Sequence, residues 1–352
     1  MRCSTSSRAN CAAASFRGRA VARESGSPED RLIARYFKPL AKHPAAFGLG
    51  DDAAAIAPPA GHDLVLKTDG LIAGVHFFPD DPADDVARKA LRVNLSDLAA
   101  KGAAPLGFLL AIALPKGFSE DWLAAFARGL GDDADAYQCP LLGGDTDSTP
   151  GPISISISAF GTLPHGTMVK RSGARAGDHV FVSGTIGDAA LGLRVRRDPA
   201  VTTRWKLEGA MRDHLVSRYR VPQPRIALAA AVRAHASAAM DVSDGLAGDL
   251  AKLCRASKVA ADIAVARVPL SPAAARALAA DAALIEPILT GGEDYEILCA
   301  VPPANADAFR AAAEQAGVAV SEIGRSVAGD TSRFLDRTGQ PLAFSRTGYS
   351  HF

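Results

Sequence analysis

Six short acidic clusters, most of them beside glycine, are the groups in this chain best suited to chemistry. They are Gly50-Asp51-Asp52, Thr68-Asp69-Gly70, Asn94-Leu95-Ser96-Asp97, Gly143-Gly144-Asp145-Thr146-Asp147, Asp241-Val242-Ser243-Asp244-Gly245 and Gly291-Gly292-Glu293-Asp294. Carboxylates repel polyphosphate, but placed around divalent ions they become a clamp on it. Magnesium is a hard ion that takes oxygen ligands, usually one or two carboxylates with waters and substrate phosphates. Glycine lets the backbone come close to a phosphate. Singly, each cluster has an ordinary structural explanation. Asp-Gly pairs make turns, Asp244 can cap the helix that follows it, and Asp97 can lie on a solvated helix face. Six together, several at strand ends or helix starts, point to metal-assisted phosphate chemistry.

The common nucleotide-binding and catalytic motifs do not occur. There is no GxxxxGK[ST] loop, no protein-kinase HRD and DFG pair, no GxSxG elbow and no HExxH. Gly184-Thr185-Ile186-Gly187 lacks the third glycine of a dinucleotide fingerprint. The five cysteines form no CxxC pair, which argues against a disulfide framework and against a zinc site. A formal net charge of +1 gives no field that draws nucleic acid or an anionic membrane. The longest apolar run, Leu106 to Leu114, is too short to span a bilayer. A cytoplasmic protein without nucleic-acid or membrane partners is the expectation.

The elements that must position the clusters can be read from periodicity. A chain of 352 residues, 48% of them apolar, suggests two domains of mixed α/β class. Residues 1–26 stand apart: the first 23 carry five arginines and no acid, and are read as a tail. Ser27-Pro28-Glu29-Asp30 starts a helix. His62 to Lys67 reads as a strand that delivers Thr68-Asp69-Gly70 as a polar turn. Asp85 to Lys101 reads as a helix closed by Gly102, with Val86, Ala90, Leu91, Leu95, Leu98 and Ala99 on its buried side. Asn94, Asp97 and Lys101 fall on a neighbouring face. Phe108 to Leu114 reads as a buried strand, Ser119 to Tyr137 as a helix, and the alternating Ile153 to Phe160 as a half-buried strand. The glycine-rich, basic stretch Gly161 to Asp178 holds the boundary between domains 27–163 and 164–352. Beyond it, His179 to Ser183, Ala238 to Val242 and Tyr295 to Val301 read as strands, and Leu246 to Cys254 as a helix.

Joined in order, these segments resemble a known family. GDDAAA (50–55), KTDGLIAGVHF (67–77), KALRVNLSDLAAKGA (89–103), GGDTD (143–147), KRSGARAGD (170–178), DVSDGLAGDL (241–250), GGEDYEIL (291–298) and the closing GYSHF (348–352) strongly resemble the thiamine-monophosphate kinase family. That family lies within the aminoimidazole-ribonucleotide synthetase-like ATP-binding superfamily. The likeness covers residues 28 to 352. It implies a two-domain fold of that type, with the N-terminal sheet forming a homodimer interface. It also implies ATP as co-substrate, held with several Mg2+ ions near that interface, and phosphorylation of thiamine monophosphate to thiamine diphosphate.

By position, the resemblance makes Asp52, Thr68, Asp69, Asp97, Asp145, Asp241 and Asp244 magnesium ligands. Gly144, Asp145, Arg171 and Ser243 become ATP contacts, and His76, Glu293 and Tyr349 thiamine phosphate contacts. Tyr349 suits that task because an aromatic face stacks on a flat cationic ring. Lys67 is a departure beside the metal site. The reaction expected is direct in-line transfer, with no covalent nucleophile. Selenophosphate synthetase, a rival in the same superfamily, uses a reactive cysteine in a glycine-rich N-terminal segment; here no cysteine lies between Cys11 and Cys139. A non-catalytic nucleotide-binding maturation or scaffold protein would have lost several acidic ligands, and none is missing.

Overall fold

The computed structural model describes residues 27–346 and Gly348, so the expectations for the tail and for Tyr349 lie outside the described residues. The first half of the chain forms a four-stranded sheet from β1 (His62–Ile72), β2 (Ala104–Pro115), β3 (Leu141–Thr149) and β4 (Ser154–Pro164), in the order β1-β4-β2-β3. β4 runs antiparallel to both neighbours, whereas β2 and β3 are parallel. A parallel step needs a crossover. Helix α2 (Glu120–Ala136) supplies it, started by Ser119, whose side chain accepts from the Trp122 N–H.

Thr68-Asp69-Gly70 is not a turn but part of β1. Its register pairs Thr68 with Ser158, Asp69 with Ile157 and Gly70 with Ser156, and the strand runs on to Ile72. The polar residues fit a strand because alternate positions of this edge strand face something other than a core. Val65 and Leu71 are buried on the helix-covered face, and Lys67 and Asp69 lie between them on the same side by the two-residue period. Leu64, Leu66 and Thr68 point the other way. Among the described residues, no helix covers Leu64 and Leu66 on that second face, and they are 41% and 65% exposed.

The second half forms a six-stranded sheet from β5 (His179–Ser183), β6 (Ala238–Val242), β7 (Ala260–Ala264), β8 (Glu296–Val301), β9 (Val320–Val327) and β10 (Arg333–Leu335). Its order is β10-β7-β9-β5-β8-β6. Every residue of β6 and β8 is buried, as expected for strands covered on both faces. Flanking helices include α3 (Asp188–Arg197), α4 (Gly209–Arg220) and α5 (Leu246–Ser257).

Helix α1 (Ala83–Ala100) joins the halves. Leu91, Leu95 and Leu98 enter the core of the first sheet, while Ala99 and Ala100 pack with Phe181, Ala239 and Ile297 of the second. The helix is therefore buried nearly all round, not along one stripe. Each fully buried leucine contributes about 1.5–3 kcal/mol. The small residues between the leucines let a second sheet approach. Asp81, buried just before α1, accepts from Arg220 Nε at 2.9 Å and pairs with Arg196 at 3.0 Å, which ties the first half to α4 and α3.

Candidate active site

A cavity of about 490 Å³ opens where α1, the end of β1 and the loops after β6 and before β8 meet. Asp69 and Lys67 enter it from β1 and Asp97 from α1. Lys67 Nζ lies 2.7 Å from Asp97 Oδ2 and 3.2 Å from Asp69 Oδ1. Burial works against the Lys67 charge, but Asp97 and then Asp69 outweigh it and raise its pKa. Burial, reinforced by Asp97, raises the pKa of Asp69 against the pull of Lys67.

Asp241 stands on β6 facing α1, where Ser96 Oγ donates to its Oδ2 at 2.9 Å. Its carboxyl is pushed well above the usual range by complete burial and then by Asp97. Lys101 Nζ, one turn further along, donates to the Ala239 carbonyl at 2.7 Å and fixes α1 to the same strand.

The Asp241–Gly245 and Gly291–Tyr295 segments are knitted together. The Glu293 N–H donates to Ser243 O and the Tyr295 N–H to Val242 O, both at 2.8 Å. Gly245 has φ +112, and a Cβ there would sit 2.5 Å from the Thr290 carbonyl oxygen, so only glycine fits between the loops. Glu293 and Tyr295 themselves hold positive φ, +81° and +51°. Such conformations persist only when the surroundings over-determine them. Here Asp294, between the two, is buried and accepts from the Gly187 N–H at 2.7 Å and the Ala189 N–H at 3.1 Å at the start of α3. Burial, only partly offset by these bonds, pushes its carboxyl up to about 8.

Asp244 pairs with Lys252 of α5, and its N–H donates to Asp249 Oδ2 at 2.9 Å. Glu293 reaches Lys89 of α1, whose Nζ lies 2.5 Å from Glu293 Oε2. The same buried ammonium donates to the His76 carbonyl at 2.8 Å and stands 4.1 Å from the centre of the Tyr219 ring. His76 follows β1 in a tight loop, its Nδ1 accepting from the Ile72 N–H at 3.0 Å. Arg171 and Ser243 also line the cavity.

A second cavity, of about 730 Å³, lies against the uncovered face of the first sheet. Asp52, Gly144 and Asp145 line it together with Leu64, Leu109 and Phe160. A Cβ on Gly144 would collide with the Leu110 carbonyl across the sheet, so this position too is limited to glycine.

The sequence matches the AIR synthase related protein N-terminal domain over residues 50–163 and the AIR synthase related protein C-terminal domain over residues 175–336. It is 44% identical over 323 residues to a thiamine-monophosphate kinase of Caulobacter vibrioides, a match spanning 91% of this chain and 89% of that one. The chain belongs to the thiamine-monophosphate kinase family. Its fold agrees. The crystal structure of thiamine-monophosphate kinase from Stenotrophomonas maltophilia K279a superposes with a TM-score of 0.77 at 38% identity, covering 89% of this chain and 96% of that one. A further solved structure, AaThiL complexed with AMPPCP and TMP, superposes with a TM-score of 0.72 at 30% identity, covering 90% and 98%.

For a member of this family, the distribution of the expected residues is instructive. Asp69, Asp97, Asp241, Asp244, Arg171, Ser243, His76 and Glu293 line one cavity, built from both halves. Asp52, Gly144 and Asp145 line the other. Thr68 points to the uncovered face, where its hydroxyl donates to Ile157 O and accepts from Ser158 Oγ, both at 3.1 Å. Residue-level reading missed Lys89, Lys252 and Asp249. A signal existed for Lys89: it stands three residues after Val86 and four before Val93, so a lysine falls on the buried side of α1.

Proposed function

We propose that this chain transfers the γ-phosphoryl group of ATP to thiamine monophosphate, giving ADP and thiamine diphosphate. One observation carries the reading. Four aspartates from β1, α1, β6 and the loop after it enter a single cavity together with Arg171, Ser243, His76 and Glu293. Names and complexes of family members, one of them complexed with AMPPCP and TMP, support it.

The chain's own groups explain the chemistry. The attacking oxygen belongs to a phosphate monoester, whose second pKa is near ~6, so it is already anionic at neutral pH and needs no strong general base. Burial raises the thiols of Cys139 and Cys299 to about 12, so neither offers a thiolate as a covalent carrier. On this reading transfer is direct, and the protein's task is to hold two anions in line and answer their charge. Arg171 and Ser243 face the nucleotide phosphates. His76 and Glu293 face thiamine phosphate, Glu293 held in place by Lys89.

The donor set fits magnesium. It is all oxygen, as a hard ion prefers, and it includes the buried carboxyl of Asp241, whose pKa is raised by burial and then by Asp97. Asp69, Asp97, Asp241 and Asp244 would hold ions from this cavity, and Asp52, Thr68 and Asp145 from the uncovered face. When bound, Mg2+ supplies charge neutralisation on the phosphate chain.

We also propose a homodimer in which the uncovered faces of two first sheets meet, enclosing Gly144 and Asp145 beside the nucleotide. The exposed Leu64 and Leu66 support this, since apolar side chains gathered on one face mark an interaction surface. We place the reaction in the cytoplasm, where ATP is supplied; among the described residues no helix is long and apolar enough to cross a membrane. The deciding experiment is ADP release measured with thiamine phosphate, with thiamine, and with no acceptor. Release that requires thiamine phosphate supports the reading. Release driven by thiamine alone overturns it.

A further inference from the structure

Among the described residues, Lys67 is the one basic side chain ion-paired with two of the candidate metal ligands. Its Nζ is 2.7 Å from Asp97 Oδ2 and 3.2 Å from Asp69 Oδ1, and it reaches them from the same face of β1 that carries Asp69. The two carboxylates come from different elements, a strand and a helix, and the ammonium closes the gap between them. All three side chains are largely withdrawn from water, with 19–36% of their surface exposed. Charge pairs are screened less there than at an open surface.

The other lysine beside a candidate ligand behaves differently. Lys252 pairs with Asp244, but its second partner is Asp249, a wholly buried aspartate one turn earlier on its own helix at 2.8 Å. That contact fastens a helix start to a loop. Lys67 has no such local task, because both its partners are candidate ligands.

We propose that the Lys67 ammonium is a resident cation of the site and takes the place of one divalent ion between Asp69 and Asp97. The Asp69–Asp97 pair is arranged around an ammonium, with one oxygen of each carboxylate turned to it. An ammonium answers carboxylates at hydrogen-bond distance, near ~2.8 Å, whereas magnesium demands oxygen at about 2.0–2.1 Å in an octahedron. The gap between Asp97 Oδ2 and Asp69 Oδ1 cannot hold both at once, while the other oxygen of each carboxylate remains for a neighbouring ion. A lysine here lowers by one the number of ions the site must gather before transfer, while keeping a positive charge beside the phosphates.

This inference rests on the proposed kinase reading and its magnesium ligands. The test is a count of bound Mn2+, which shares the oxygen preference of magnesium. Ions per chain are measured by electron paramagnetic resonance with saturating AMPPCP and thiamine phosphate. The native chain is compared with Lys67→Thr, Lys67→Met and Lys67→Arg. Lys67→Thr and Lys67→Met are expected to bind one ion more per chain than the native protein, and Lys67→Arg the same number. Equal counts across all four overturn the proposal and leave the kinase reading standing. A native protein that binds no ion with both ligands present removes the kinase reading as well. If the variants do not fold, anomalous scattering from Mn2+ in crystals of the native complex decides. Lys67 Nζ still bridging Asp69 and Asp97 sustains the proposal, and Mn2+ between those two carboxylates overturns it.

Discussion

The interdomain cavity and the uncovered sheet face both gather acidic side chains, but on opposite terms. In the cavity nearly every carboxylate is answered within the chain: Asp69 and Asp97 by Lys67, Asp244 by Lys252, and Glu293 by Lys89. On the uncovered face, Asp52 and Asp145 are exposed, and the cavity they line carries Asp51, Glu29 and several apolar side chains but no lysine or arginine. One strand builds both places. Along β1, Lys67 and Asp69 turn to the cavity while Leu66 and Thr68 turn to the open face. The cavity answers most of its carboxylates within one chain, whereas the open face leaves Asp52, Asp145, Leu64 and Leu66 exposed.

The sharpest way to break this comparison is to remove charge from the cavity. Asp241→Asn keeps the shape but loses a carboxylate, and turnover is expected to fall on the order of 10²–10³-fold, as when a preorganised electrostatic group is lost. Stability at neutral pH should hold or rise, because the buried charge that desolvation penalises is gone. Steady-state kinetics and a thermal melt on the same sample check both halves. Full activity would remove Asp241 from the site, and a collapsed melt would make it structural.

The open face is tested by Leu66→Asp. If two copies meet there, each contact loses an apolar side chain worth about 1.5 kcal/mol or more, so the dimer weakens by roughly 3 kcal/mol, on the order of 10²-fold. Sedimentation velocity should show a dimer for the native chain and a monomer for the variant. A native chain that is already monomeric contradicts the reading of this face.

How much of this was legible in the sequence depends on what each residue's partner is. The alternation of Ile153–Phe160 announced β4, because one side of that strand meets the core and the other does not. The limits of α1 were within two residues of the expectation, yet its burial was not, because a helix between two sheets is buried by the second half of the chain. Thr68–Gly70 passed for a turn since polarity marks where water is, and here it marks a cavity instead. The acidic clusters stood out by composition. That they divide between two cavities could not be seen, since strand facing depends on the register with β4.

The Lys89 arrangement predicts a smaller effect that refines the cavity side. Lys89→Met leaves Glu293 without its ammonium and frees the His76 loop, and an unanswered, part-buried carboxylate costs about 1–3 kcal/mol. KM for thiamine phosphate should rise roughly tenfold while KM for ATP moves little, and Lys89→Arg should recover part of the loss. Equal changes in both constants would mean that Lys89 supports the fold rather than the acceptor subsite.

The effect furthest from the chemistry concerns Asp294, which holds the strained Glu293–Tyr295 segment from outside the cavity. Its carboxyl titrates near 8 in the folded chain against an ordinary value of 3.8. A folded pKa above the unfolded one means that the folded state binds the proton more tightly. The contribution is therefore full below about pH 4 and is lost as pH rises through about 8, at up to ~1.4 kcal/mol per pH unit for one proton. Asp294→Asn cannot titrate. It also gives up one of the two acceptors that serve Gly187 and Ala189, a constant loss of roughly 1 kcal/mol. The stability difference between native and variant chains, from denaturant unfolding, should thus shrink steadily across that window as the native advantage fades. A difference that stays flat with pH would show that Asp294 is ionised throughout, its charge answered by the α3 start and Arg218. The segment carrying Glu293 would then be held by that charge rather than by a neutral acid.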